Sequence, residues 1–454
     1  MAQGLNLGET TYRGYERTQM GHSPTQSGTE DRELTHVGPG TPCGEYLRRF
    51  WHPVTLSSQL NDLPLAIRIL GENLVTFRDL AGNVGVLHRQ CSHRRTSLEY
   101  GVIAEHGIRC CYHGWLYDVD GTILETPGEP EDSPIRHSLC HGAYPAREYK
   151  GIVFAYMGPP ELKPEFPIYD TFELPDDEMI PYLLDMPCNW LQVTENPMDP
   201  FHSVFLHTRI SRAHFDVSWG AMPIVEWHQM PDKTGIYLTS ARRWNDYVWI
   251  RTNELAVPNF TQPPDIFQNP DRDKFFTRVG NSKWHLPVDD TNTQIIGWRH
   301  FNDTIDLAGK GRRDAVGVGS YDAVGRVKRT YEEQQRVPGD YEAQVGQDTI
   351  AVHKLEHLGK TDTGVAMLRQ LLRRAIRNVK KGVEPPKPLK NTDGYIPTMA
   401  GDVIINVPQT NRNDEEVRSD LGRRIGAIVL DSMPLAHGER QAEIERRVRN
   451  EILA

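Results

Sequence analysis

The stretch CSHRRTSLEYGVIAEHGIRCCYH, residues 91–113, decides how the rest of the chain is read. It holds a Cys-x-His pair, Cys91 and His93, and, after sixteen intervening residues, a Cys-x-x-His pair, Cys110 and His113. Two thiolates and two imidazoles this close together, each pair expected at the tip of a β-hairpin, make a four-ligand metal site. Tetrahedral zinc accepts the same donors, but two to four residues usually separate its paired ligands and here the first pair is separated by one. Zinc is therefore the poorer fit.

The spacing resembles instead the Rieske pattern, in which one iron of a [2Fe–2S] cluster takes two Cys and the other takes two His. Exchanging two thiolates for neutral imidazoles lifts the reduction potential above that of an all-Cys cluster. A site of this kind is expected to relay electrons received from a flavin or ferredoxin donor. Cys111 adjoins a ligand but breaks the spacing to His113, and is read as a packed neighbour.

At 454 residues the chain is too long for one core, and two domains are expected. The reading is an N-terminal arm over 1–40, polar and without period, an all-β cluster domain over 41–160, and a catalytic domain over 161–454 with C-terminal helices. Thr41-Pro42 opens a short helix. The β-rich runs around Gly71-Glu72-Asn73 and the Asp120-Gly121 dipeptide read as hairpins, which leaves both metal pairs on loops. Runs at 235–254 and 284–300 predict an antiparallel sheet, and helical patterns at 361–382 and 436–453 cover it, so the fold class is α+β. The Pro- and Asn-rich stretch 256–274 reads equally as a lid or a connector.

A net charge of -10 without a basic tract argues against nucleic acid or an anionic membrane as partner. No apolar run reaches the length of a membrane span, and the first residues lack an apolar signal core. The cysteines outside the metal pairs, Cys43, Cys111, Cys140 and Cys188, show no framework spacing, which suits a reducing cytoplasm.

A second constellation lies in NWLQVTENPMDPFHSVFLHT, residues 189–208, with Glu195, Asp199, His202 and His207. Asp199 and His202 share a helix face. His202 and His207, five apart, differ by about 140° on a regular helix and can meet one metal only where the helix is distorted or ends. Two His and a distant carboxylate form the facial triad of non-haem Fe(II), with positions open for O₂.

These two motifs, in this order and about 90 residues apart, closely resemble those of the Rieske non-haem iron oxygenases. VGPGTPCGEYLRRFWHPV (37–54), RCCYHGWLYDVDGTILETPGEP (109–130) and WHLPVDDTNTQIIGWRHF (284–301) are similar to the phthalate-dioxygenase-like branch, which includes aryl-ether O-demethylases. The resemblance implies a [2Fe–2S] cluster on Cys91, His93, Cys110 and His113. It implies a mononuclear Fe(II) on His202, His207 and, through the match at VGQDTIAVHKLEHLG, Asp348, with Asp314, Asp340 and Glu356 as rivals. Asp199, with Glu195 and Asn196, is placed among the catalytic residues. It further implies a homotrimer or dimer of trimers, in which Asp199 bridges the iron of one protomer and the cluster of the next.

No dinucleotide fingerprint follows a strand, so NAD(P)H is expected to act only through a separate reductase or ferredoxin. Arg242, Arg243 and Arg251 lie on adjacent predicted strands and could hold a carboxylate. The expected reaction is oxidation of an aromatic acid with O₂, leaning to O-demethylation of a lignin-type substrate, with ring dihydroxylation as the alternative. A pure electron carrier would need neither the second constellation nor the long C-terminal half.

Overall fold

The computed structural model describes residues 28–210, 214–265, 270–303, 313–320 and 329–454. Thr41 caps the helix Pro42–Leu47, its hydroxyl accepting from Gly44 N at 3.1 Å. β1 (Trp51–Leu56) then pairs antiparallel with β10 (Ile152–Tyr156), which β9 (Ala146–Tyr149) flanks. The chain leaves at β1 and returns at β10, so the cluster stretch is carried on this closure. Within it, β2 (Leu65–Ile69), β3 (Glu72–Arg78) and β4 (Val84–His88) form one sheet. The short strands β5 (Val102–Ile103), β6 (Ile108–Arg109), β7 (Leu116–Tyr117) and β8 (Ile123–Glu125) form another. The β2–β3 turn sits at Leu70 and Gly71, whose φ of 48° and 78° are those of a primed hairpin turn, one residue earlier than expected. Val75, Phe77, Leu87, Leu98, Ile108, Trp115 and Tyr117 fill this domain's interior.

The larger domain is built on an eight-stranded antiparallel sheet, among the described residues, of β11 (Glu178–Met186), β12 (Ile224–Gln229), β13 (Gly235–Trp244), β14 (Tyr247–Ala256), β15 (Phe260–Thr261), β16 (Asn281–Asp289), β17 (Asn292–Phe301) and β18 (Gly401–Asn406). The order runs β11-β17-β16-β15-β14-β13-β12, with β18 also on β14. The β16–β17 hairpin closes between Asp289 and Asn292, where the turn residues predicted it. The stretch 256–274 contributes β15 to the sheet, and Lys274 bridges to Ile404, so the parts described are structural; residues 266–269 lie outside the described set.

The helix Thr363–Lys380 buries Val365, Leu368, Leu372, Ile376 and Val379 at three- to four-residue spacing. Along another edge of it, Arg369, Arg373 and Arg377 pair with Glu195 and Glu356, with Asp31, and with Glu33. Residues 28–36 of the expected arm are thereby docked: Leu34 is fully buried and its carbonyl accepts from Trp190 Nε1 at 3.0 Å. The helix Asp414–Ser432 was not anticipated. Its signals were Asn413, which caps Glu415 N, and Leu421, Ile425, Ile428 and Val429 on one face.

The two domains share one core. Val54 and Phe154 pack with Trp190, Leu238, Trp284, Trp298 and Leu368. The Phe154 and Trp284 rings are 5.3 Å apart, and Trp298 Nε1 donates to Lys150 O at 2.8 Å. No helix among the described residues is long and apolar enough to cross a membrane.

Candidate metal centres

The loops at 91–96 and 110–115 are closed in the same way. Cys91 N donates to Thr96 O and Arg95 N to Cys91 O; Cys110 N donates to Trp115 O and Gly114 N to Cys110 O. The fourth residue after each cysteine is left-handed, Arg95 with φ 66° and Gly114 with φ 75°. Glycine meets this freely, whereas Arg95 is held there against its preference. The matched loops bring the Cys91 and Cys110 thiols into contact and set the His93 and His113 rings 4.5 Å apart, with His93 stacked on Trp115. Both thiols are buried, and His93 Nδ1 is buried without a hydrogen-bond partner. An orphaned ring nitrogen beside a second imidazole, with paired thiols close by in the same two loops, fits a two-iron cluster. Cys111 is exposed rather than packed.

Two residues behind these loops, Tyr117 and His141, were not foreseen. Tyr117 OH lies 2.9 Å from Cys91 Sγ; burial, with the Cys91 sulfur, pushes this phenol up, so it stays a donor. His141 Nδ1 meets Ser92 Oγ at 2.6 Å and its Nε2 meets His88 O at 2.7 Å, bracing the first loop.

The second centre is built on a helix that changes pitch. Trp190–Glu195 is α-helical, Pro197 breaks it, and Asp199 caps a new turn, Pro200–Val204, by accepting from Phe201 N and His202 N. From Phe205 to Ile210 the helix is π-helical. Its wider i→i+5 repeat brings His202 and His207 together, with ring centroids 5.2 Å apart. The carboxylate that joins them is Asp340, at the start of the helix Asp340–Val345. Its Oδ1 lies 3.3 Å from His207 Nε2 and 3.7 Å from His202 Nε2, and all three donors fall within 4.8 Å of one another. Burial opposes the ionisation of Asp340, but the charges of His207, His202 and Lys283 outweigh it and hold the carboxyl well below the ordinary range.

The outer nitrogens are held too. His202 Nδ1 hydrogen-bonds the Asp199 carbonyl oxygen, and His207 Nδ1 lies 2.9 Å from His214 Nδ1. With each Nδ1 so engaged, the Nε2 atoms face Asp340. Asn196 Nδ2 donates to Asp340 Oδ1 at 3.0 Å, which places Asn196 beside the centre.

Three expectations, for Asp348, Glu195 and the arginines, are corrected here. Asp348 is not the third carboxylate: it is exposed, left-handed at φ 82°, and only its carbonyl is engaged, by Gln192 Nε2 at 3.0 Å. The same amide donates to Gln344 O and its Oε1 accepts from Ala351 N, so Gln192 clamps 344–351 to the histidine helix and leaves Asp340 as the inward acid. Of the other rivals, Asp314 is exposed and Glu356 is bound to Arg369. Glu195 is no catalytic acid either, because both its oxygens accept from Arg369, at 2.5 and 2.8 Å. The Asp199 carboxylate is 3.8 Å from His202 Nδ1, so the hydrogen bond to that ring comes from its main chain instead.

Two of the three arginines are already paired with carboxylates, and the third is held against the histidine turn. Arg251 forms a buried ion pair with Asp402 at 3.1 Å, and Arg243 pairs with Asp414 and donates to Val407 O. Arg242 is buried between the Trp219 and Trp249 rings and donates to Pro200 O and Ser203 Oγ at 3.3 and 3.2 Å. It therefore anchors the turn that carries His202.

A profile of the Rieske [2Fe-2S] domain matches residues 50–144. The chain is 44% identical to the tert-butanol monooxygenase / tert-amyl alcohol desaturase oxygenase subunit of Aquincola tertiaricarbonis, over 97% of this chain and 96% of that one. It is 38% identical to the phenoxybenzoate dioxygenase subunit alpha of Ectopseudomonas oleovorans, over 79% and 87%. With the 5,5'-dehydrodivanillate O-demethylase oxygenase subunit of a Sphingobium species it shares 30% identity, over 84% and 88%. The crystal structure of dicamba monooxygenase bound to dicamba superposes with a TM-score of 0.53 at 16% identity, over 74% of this chain and 99% of that one, a likeness of fold. Relatedness at this level over almost the whole of both chains, with the cluster profile lying where the two Cys/His loops converge, makes this chain a member of the Rieske non-haem iron oxygenases, as the oxygenase component that carries both the [2Fe–2S] cluster and the mononuclear iron.

Proposed function

We propose that this oxygenase component oxidises an aromatic acid, by O-demethylation of a methoxylated, lignin-type substrate. The observation that carries an oxygenation at this centre is the convergence of His202, His207 and Asp340, a face that leaves coordination positions open. Support for an aromatic acid comes from the relatives named for phenoxybenzoate and dehydrodivanillate. Iron held there supplies O₂ activation, with electrons received from the cluster. The protein's part is geometric: Asp199 and His214 fix the two imidazoles, Asn196 fixes Asp340, and Arg242 anchors the turn between them.

Electrons reach the cluster from a separate reductase or ferredoxin. We also infer a cytoplasmic homotrimer or dimer of trimers, in which Asp199 couples the iron of one protomer to the cluster of its neighbour. In support, the Asp199 side chain is about a third exposed, and only one of its oxygens is used in capping.

The 44% relative favours a second reading, hydroxylation of a small tertiary alcohol. Purified protein with a reductase and NADH, offered 3-methoxybenzoate, 4-methoxybenzoate, phthalate and tert-butanol, separates the readings. Formaldehyde from a methoxybenzoate is the expected result. A diol from phthalate moves the assignment to ring dihydroxylation, and turnover of tert-butanol alone moves it to the alcohol.

Tyr117 gives a test at the cluster. Its hydroxyl lies 2.9 Å from Cys91 Sγ and would donate to that sulfur once it is a cluster-bound thiolate, stabilising the reduced, more negative cluster. Tyr117→Phe is expected to lower the potential by about 40 mV, the one-electron equivalent of about 1 kcal/mol for one hydrogen bond. Redox titration of the visible spectrum measures it, and an unchanged potential would remove Tyr117 from the cluster's electrostatics.

A further inference from the structure

Strand β16 presents two kinds of side chain. Ser282, Trp284 and Leu286 turn one way: Trp284 packs on Phe154 and Trp298, and Ser282 hydrogen-bonds Gln262 and His300. Asn281, Lys283 and His285 turn the other way, to the face that β17 and β11 continue with Ile295, Gly297, Tyr182 and Leu184. Tyr182 OH, on that face, donates to Asn281 Oδ1 at 2.9 Å. Tyr182, Leu184 and Ile295 pack there against Val193 of the histidine helix and against Tyr341 and Val345, which flank Asp340 on its own helix. The register thus puts Lys283 and His285 on the side of the sheet that faces the metal centre.

Neither group is fully paired within the described protein. Lys283, half-buried, makes no hydrogen bond or ion pair with any described residue, and His285, 1% exposed, has its Nδ1 buried without a partner. Directly across from Lys283 stands Gly297, where a Cβ would fall 2.1 Å from Ser282 O and 2.9 Å from Lys283 Cβ, so glycine is what lets the two strands lie this close. Burial, opposed by the nearby Asp340 charge, lowers the Lys283 ammonium from its usual value, and burial with the Lys283 charge keeps His285 neutral. Asp340 cannot serve as a dedicated counter-ion. Its Oδ1 already takes Asn196 and faces both histidines, and a bound metal cation would neutralise the charge that Lys283 feels. A half-buried ammonium on this face, with no carboxylate of its own among the described residues, is left to bond solvent or an arriving anion.

We propose that Lys283 is the cation that receives the carboxylate of an aromatic acid substrate beside the His202/His207/Asp340 centre, with the neutral His285 imidazole as a hydrogen-bonding neighbour. The proposal rests on the aromatic-acid reading above and names the residue that selects it. It takes the place of Arg243 and Arg251, which are paired with Asp414 and Asp402, and of Arg242, which holds the turn at Pro200 and Ser203.

The test uses the full chain with both metal sites loaded and two probes of one shape, 3-methoxybenzoate and its neutral amide, 3-methoxybenzamide, measured by titration calorimetry. Lys283→Met should weaken the acid on the order of tenfold to a hundredfold, the value of a hydrogen bond to a charged group. It should leave the amide within about twofold and the iron content unchanged, and Lys283→Arg should recover most of the acid affinity. In turnover the loss should fall on KM more than on kcat. Equal loss for acid and amide, or no loss for either, overturns the anchor while the aromatic-acid reading stands. A wild-type protein indifferent to 3-methoxybenzoate, 4-methoxybenzoate and phthalate overturns that reading and the anchor together.

Discussion

Asp340→Ala is expected to strip the catalytic iron while leaving the cluster's visible spectrum intact. The reason is geometric: among the described residues this is the carboxylate that closes a three-donor face with His202 and His207, and without it that face has no anionic donor. Loss of a merely supporting residue costs roughly 10- to 100-fold in metal affinity or activity, so loss of a ligand should exceed about 100-fold. Asp348→Ala, eight residues on, should bind iron and turn over like the parent, since its side chain points to solvent. Iron analysis of both variants decides between the two acids; retention of full iron in Asp340→Ala, or its loss in Asp348→Ala, would reverse the assignment.

Asp199→Asn should keep both metals and the fold yet lower turnover on the order of 100-fold. Asparagine is as good an N-cap as aspartate, so Phe201 N and His202 N stay satisfied and the turn carrying His202 is undisturbed. The carbonyl that holds His202 Nδ1 is also unchanged. What disappears is one negative charge, about a third exposed, 3.8 Å from an imidazole of the centre. Asp199→Ala is the less clean variant, because losing the cap costs about 1 kcal/mol of local stability as well. Single-turnover kinetics on the pre-reduced protein would place the defect at electron delivery; wild-type rates in Asp199→Asn would leave the carboxylate with a capping role only.

The cluster loops were legible because their meaning is local: two short spacings, each closed within six residues. The histidine pair was half legible. Five-residue spacing on a regular helix denies a shared metal, and the conflict itself pointed to the pitch change found at Phe205–Ile210. The carboxylate was not, for it arrives from more than 130 residues away in a stretch holding several acids. Which acid turns inward is decided by the Gln192 clamp and by where the helix at Asp340 begins. Glu195 and the arginines failed for the same reason. A buried acid beside a ligand reads like a catalytic one until its partner, Arg369, is brought up from 174 residues on. Strand positions of Arg243 and Arg251 could be read from the pattern, but not the presence of Asp414 and Asp402 opposite them.

The core that runs unbroken from Phe154 through Trp284 and Trp298 to Leu368 bears on how electrons are timed. It bolts the cluster loops and the histidine helix to one slab, with Leu70 N and Gly71 N of the small domain bonded to Pro287 O and Val288 O at the end of β16. A carrier on a tether can wait and then swing; this one has no tether. The separation of the two redox centres within one chain is then fixed by the fold. What remains to throttle the current is driving force, set by the protons and charges that gather around the two imidazole pairs.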